Sequence, residues 1–271
     1  MIIPAIKLLD NFLKAPDFVI SSDEYDFIPF QISPFKTTPK EPFTFPYNII
    51  IGKQAEYCFA YYLKHSKRYN LIASNIQING AVETIGELDY LVFDSKTKAT
   101  LHVELACKFY LFDSNSDEPI TNKWIGPNRK DRLKKKLDKL KLKQFPLIRR
   151  KETQGILKEL QIDVNTIKQQ LCLKAFLFLR KGTSRHEFSK NYQACIVGYW
   201  LPYSEFICED ETALYAVPKK KEWLLPTEHI QEWFGFSDVK TILKTQIENN
   251  QSVLVYKKVG SQTVQFFVVW W

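Results

Sequence analysis

Residues 100–109 alternate strictly in character. Leu101, Val103, Leu105, Cys107 and Phe109 take the odd positions, and His102, Glu104, Ala106 and Lys108 the even ones. A helix would scatter this pattern around its surface, whereas a strand sorts it into two faces. The segment therefore predicts a sheet strand with a core on one side and an acid, a base and an imidazole on the other.

Its neighbours frame that strand. Residues 52–65 predict a helix, since Ala55, Phe59, Tyr62 and Leu63 recur at three- and four-residue spacing. Strands are expected over 71–78 and 87–93, with a turn signal at Asn79-Gly80. A loop rich in Asp, Asn and Pro follows the third strand. A helix is then expected over 128–144, ended by Pro146, and another over 152–171. Buried strands are expected over 173–179 and 194–200. The order to residue 179 is αβββαβ, which gives an α/β fold with a mixed central sheet. Beyond that core (52–179), residues 180–271 read as an α+β C-terminal extension. Residues 214–224 are a strand or extended loop, 228–234 and 237–249 helices. Residues 253–256 and 263–271 form a closing hairpin turned at Gly260-Ser261. Residues 1–51 hold seven of the 13 prolines, including Pro4, Pro39 and Pro42, which predicts an irregular N-terminal arm. Its aromatics, Phe12 through Phe45, bind that arm to the core.

Several classes of function are disfavoured. No apolar run approaches the ~18 residues that cross a bilayer, and no cleavage site follows the apolar start. The reading is a cytoplasmic chain without a membrane partner. Cys58, Cys107, Cys172, Cys195 and Cys208 are odd in number and lack CxxC spacing, which predicts buried thiols rather than zinc or disulfides. The four histidines form no HExxH.

Charge is concentrated. Residues 128–151 hold 12 lysines and arginines against Asp131 and Asp138, a local net of +10 in a chain whose total is +8. Such a run is either a polyanion-binding surface or a solvated helix face. Trp124, just before it, either stacks on an unpaired base or caps the core. Trp223, Trp233, Trp270 and Trp271 read as packing residues.

Glu87 and Asp89 share a face of the second strand, and Glu104 lies on the polar face of the third. Neighbouring strands are ~4.8 Å apart, so carboxylates from both can converge on one hard cation. Such an ion activates water and stabilises charge on a phosphate.

These residues also carry a resemblance. Gly52-Lys-Gln-Ala-Glu56 with Ala60 and Leu63, then Gly86-Glu-Leu-Asp89-Tyr-Leu-Val, then His102-Val-Glu104, looks like the PD-(D/E)XK nuclease superfamily of restriction endonucleases, junction resolvases and repair nucleases. The phrases GELDYLVFD, HVELACKFY and WIGPNRKDRL also resemble a bacterial family of unknown function, domain of unknown function 1853. The nuclease resemblance implies a restriction-endonuclease-like αβββαβ core over about residues 52–145, or to 179. It implies Mg²⁺ or Mn²⁺ held by Asp89 and Glu104, with Glu56 assisting and Gln144 matching a glutamine that some members carry. The superfamily's lysine stands two residues after the glutamate, where this chain has Ala106. Lys108 stands four after, ~13 Å along the strand instead of ~7 Å. Either a bulge at Ala106–Cys107 brings Lys108 in, or Lys136, bordering the inward stripe of the next helix, replaces it.

The leading expectation is a metal-dependent phosphodiesterase acting on DNA, in repair or recombination. Its catalytic residues are Glu56, Asp89, Glu104 and Lys108. Arg129, Lys130, Arg132, Lys134, Lys135, Lys139 and Gln144 grip the nucleic acid. The alternatives are an inactive nuclease-fold module that binds nucleic acid, and an assembly subunit that docks through the basic helix.

Overall fold

A computed structural model of the chain describes residues 5–20, 24–35, 43, 44, 46, 48–114 and 118–271. Pro4, Pro39, Pro42 and Phe45 of the expected arm lie outside the described residues.

Three antiparallel strands begin the sheet: β1 (Tyr69–Asn79), β2 (Thr84–Asp94) and β3 (Ala99–Phe112). A two-residue strand, β4 (Trp124–Ile125), pairs with the end of β3. Next come β5 (Lys168–Arg180), β6 (Ile196–Pro202), β7 (Tyr215–Ala216), β8 (Val253–Val259) and β9 (Gln262–Val269). The nine strands form one mixed sheet in the order β1-β2-β3-β5-β6-β9-β8-β7, with β4 off this path. β3, β5, β6 and β9 run parallel to one another. The strands beyond residue 180 therefore continue the sheet begun by the first three.

The alternation of β3 sets the layers. Its odd residues pack with Cys58, Phe59 and Tyr62 of α2 (Ile51–His65), whereas Ala106 and Tyr110 pack with Leu133, Leu137 and Leu140. Those leucines belong to a helix that begins as α4 (Leu133–Lys139), continues as a π-turn over Leu140–Gln144, and ends at Phe145–Leu147. A one-turn helix, α3 (Ile120–Lys123), precedes it. Apolar face and polar face are thus each covered, and Glu104 is fully enclosed.

Several expectations need correction. The arm is not wholly irregular. It contains α1 (Ala5–Lys14), whose Leu8, Leu9 and Phe12 are buried. The fully buried Lys174 of β5 anchors the residues just after α1, donating to the Ala15 carbonyl at 2.6 Å and pairing with Asp17 at 2.8 Å. Residues 152–171 are not one helix: Lys151–Glu159 is helical and β5 already starts at Lys168. The helix expected from residue 128 begins only at Leu133, and Pro146 sits inside its last segment. Residues 228–234 form only a 3₁₀ turn (Thr227–His229) and an extended stretch, and Ala194 still belongs to a short helix (Lys190–Cys195) before β6. Helix Phe236–Glu248 and the hairpin turned at Gly260 agree with expectation. Four cysteines are buried, Cys208 is exposed, and none is bridged. No helix among the described residues is long and apolar enough to cross a membrane.

Candidate active site

The site forms where β2 and β3 part. Their ladder runs from Asp94↔Ala99 to Tyr90↔Val103 and goes no further. One step beyond, Asp89 faces Glu104, and the Asp89 carboxylate accepts the Leu105 amide at 2.8 Å, a donor the ladder would otherwise use. β3 meanwhile keeps its parallel partner β5 without a shift, from Leu101 to Leu111. The side-chain hydrogen bond thus ends one pairing and fixes Asp89 against Glu104.

Gly86, in the Gly-Glu-Leu-Asp phrase, has a packing role. A Cβ there would stand 2.9 Å from the buried tip of Leu147. Gly86→Ala is expected to cost about 1–3 kcal/mol through overpacking. Urea unfolding would show this as a lowered midpoint, and an unchanged midpoint would remove the argument.

Glu104 is held from both sides. Its Oε1 lies 2.8 Å from Nε2 of the fully buried His102. Gln169 donates one amide hydrogen to His102 Nδ1 at 3.1 Å and the other to the Phe145 carbonyl at 2.6 Å. Nδ1 therefore accepts, so Nε2 carries the proton and donates to Glu104. Burial holds the His102 imidazole down to about 4, hence neutral. Gln144 Nε2 donates to the other oxygen, Oε2, and Lys136 donates to Gln144 Oε1 at 3.0 Å.

The π-turn makes that last link. Eight residues on a uniform α-helix leave Lys136 and Gln144 roughly 80° apart. The wider turn at Leu140–Gln144 takes up this angle and puts both side chains toward Glu104.

Electrostatics follow from enclosure. Burial pushes the Asp89 carboxyl up to about 7, and the neighbouring Glu104 charge pushes the same way. Burial also raises Glu104, against the pull of Lys136. Burial lowers Lys136, while Asp89 and Glu104 oppose that shift. The arrangement is two carboxylates in contact, with one half-buried ammonium nearby.

The other expected residues are spread more widely. Glu56 stands at the rim. Its carboxylate pairs with Lys53 at 2.6 Å, and its charge adds a small upward push on Asp89. Glu87 is bonded by Gln77. Lys108 does not enter through a bulge. The register there is continuous, and its ammonium pairs with Asp131 at 2.7 Å. The lysine beside the carboxylates is Lys136, the second alternative.

In the basic run, Lys134 is engaged by Glu24, Tyr25 and Asp138, Arg132 by Glu118 and the Asn122 carbonyl, and Arg129 by Asp113 and the Trp271 ring. Lys130, Lys135 and Lys139 are exposed. Trp124 is fully buried among Phe112, Phe188 and Tyr192, so it caps the core. Trp270, expected to pack, is 37% exposed. Sequence reading missed His102 as a partner of Glu104, although it lies on the same strand face, and missed Gln169 altogether.

Among the described residues no three His, Cys, Asp or Glu side chains are grouped to enclose a metal. Asp89 is partly exposed at the β2–β3 opening, and the enclosed Glu104 stands behind it with both oxygens already accepting hydrogen bonds. Each bonded oxygen keeps a second lone pair, and two carboxylates are the donor type that a hard divalent cation takes.

Residues 37–269 match the family model described as Domain of unknown function (DUF1853). No curated protein and no solved structure matches the chain.

Proposed function

The chain belongs to the DUF1853 family, and we propose from its geometry that it is a metal-dependent nuclease acting on DNA in the cytoplasm, with a restriction-endonuclease-like αβββαβ core. The observation that carries this reading is the Asp89–Glu104 contact at the β2–β3 opening, with Lys136 beside it. Two carboxylates held together in a partly desolvated place repel each other, a cost that a protein tolerates where a cation or a proton is to be bound.

Asp89 and Glu104 would hold Mg²⁺ or Mn²⁺. The ion, when bound, supplies a water of lowered pKa and neutralises charge on the phosphate. His102 and Gln144 fix the Glu104 carboxylate, one on each oxygen. Lys136, with its proton affinity lowered by burial, is placed to offset negative charge developing beside the pair. Lys130, Lys135 and Lys139 are exposed and make no ion pair among the described residues, so they can meet phosphates, and such contacts give salt-dependent, sequence-independent affinity.

The test is cleavage of supercoiled, linear, single-stranded and branched DNA by the purified protein. Cleavage that appears with Mg²⁺ or Mn²⁺ and stops with EDTA is the expected outcome. The engagement of Lys108 by Asp131 favours one second reading, a nucleic-acid-binding module that does not cut. Salt-sensitive binding without cleavage of any DNA or RNA substrate, in either metal, would establish that reading instead.

A further inference from the structure

Beyond the carboxylate pair, toward the end of β3, the surface opens into a hollow of about 630 Å³ between the start of α2, residues 107–109 and the turn at residues 219–223. A second hollow of about 920 Å³ adjoins it, bounded by residues 217–220, 249–253 and Trp270. Both are lined by Asn128, Lys130, Lys219, Lys220 and Trp223, so they form one elongated trough.

The lining has two characters. Five lysines reach it, Lys108, Lys130, Lys219, Lys220 and Lys221, against one acid, Asp131, which Lys108 already neutralises. Lys130, Lys219 and Lys220 are exposed and make no ion pair among the described residues. Between the lysines lie apolar surfaces: the partly exposed Trp223, packed edge to face on the buried Phe109 at 5.2 Å, then Pro127 and the exposed Trp270.

A small anion would use the charge and not the length or the rings. A DNA duplex would present phosphates but keep its bases stacked inside. A chain of unpaired nucleotides uses both, with phosphates at the lysines and bases against the rings. Lys108, which lines one end of the trough, lies on the same face of β3 as Glu104, ~13 Å along the strand. We propose that this trough binds an unpaired single strand of nucleic acid and leads its end to Asp89 and Glu104. The second half of that statement rests on the nuclease reading; the first does not.

The experiment is fluorescence anisotropy on the full chain with labelled oligothymidylate and oligouridylate of roughly ten nucleotides, a length within known single-strand site sizes. An abasic oligomer of equal charge and a blunt duplex serve as competitors, all in Ca²⁺. The single strand is expected to bind at least tenfold more tightly than the abasic oligomer. The exposed pair Lys130→Ala with Lys220→Ala is expected to weaken it at least tenfold and to lower the salt slope by about 1.4. The thymidylate and uridylate arms decide between DNA and RNA. Equal binding of abasic and base-bearing strands, tighter binding of blunt duplex, or unchanged affinity in the double variant would overturn the proposal. Single-strand binding by a protein that cleaves nothing leaves the trough standing and removes the nuclease reading. Cleavage with no preference for the single strand does the reverse.

Discussion

Single-turnover cleavage of DNA by a Lys136→Met variant is expected to fall by roughly two to three orders of magnitude, the usual cost of removing one electrostatic stabiliser of a transition state. Methionine keeps most of the side chain's apolar length, so packing along the half-buried stem survives while the ammonium is lost. Binding of the same DNA in Ca²⁺ should change little, because the charge that Lys136 offsets grows chiefly as the phosphate reacts. Lys136→Arg should rescue poorly, since a planar guanidinium does not replace a compact ammonium donating to Gln144. Lys108→Ala is the contrast. Its ammonium is partly exposed and engaged by Asp131, so at saturating enzyme its loss should leave the single-turnover rate within a few-fold of wild type, any effect falling on strand binding. A wild-type rate in Lys136→Met, or a collapse in Lys108→Ala alone, would return the role to Lys108.

That contrast also marks where the sequence stops being readable. The alternation at 100–109 is local, so the face that carries Glu104 is legible without knowing the fold. Asp89 is legible too, because a hairpin makes its strand the neighbour. Lys136 is harder. It joins Gln144 on one face only through a π-turn, which side-chain periodicity does not announce. Gln169 reaches His102 across 67 residues of chain through the parallel register of β3 and β5, which no local pattern contains.

Two misreadings have local causes. The apolar spacing of Ile156, Leu157 and Leu160 runs on toward Leu171 without a glycine or proline. What ends the helix is Gln161, held in the left-handed region at φ 56°, a conformation its type does not advertise. In the arm, Leu8, Leu9 and Phe12 carry helical spacing, but α1 is short and the prolines around it dominate the composition. The trough draws on segments near residues 50, 108, 128, 220 and 250, and is visible only once the later strands have extended the sheet.

The second large effect is on thermal stability. At pH 8, Mg²⁺ or Mn²⁺ at a hundredfold excess over its Kd should stabilise the protein by about 2.7 kcal/mol, which for a chain of this size raises Tm by roughly 5–10 °C. The pH dependence fixes the sign of the underlying effect. The Asp89 carboxyl titrates near 3.9 in the unfolded chain and up to about 7 in the folded one, chiefly through burial. Between those values the folded state holds the extra proton, so this site's contribution to stability falls as pH rises from about 4 to about 7. Above 7 the full penalty remains unless a cation is bound. Asp89→Asn removes the charge, so in EDTA it should melt higher than wild type at pH 8, with the difference shrinking toward pH 5. The same variant should lose the cation-induced rise in Tm. Groups remote from the site affect both proteins alike, while Glu104 and Lys136 titrate together with Asp89, so the difference between the melting curves reports this linked group. A difference constant from pH 5 to pH 8 would mean that Asp89 carries no buried-charge penalty. An undiminished Mg²⁺ or Mn²⁺ shift in Asp89→Asn would move the cation away from the β2–β3 opening.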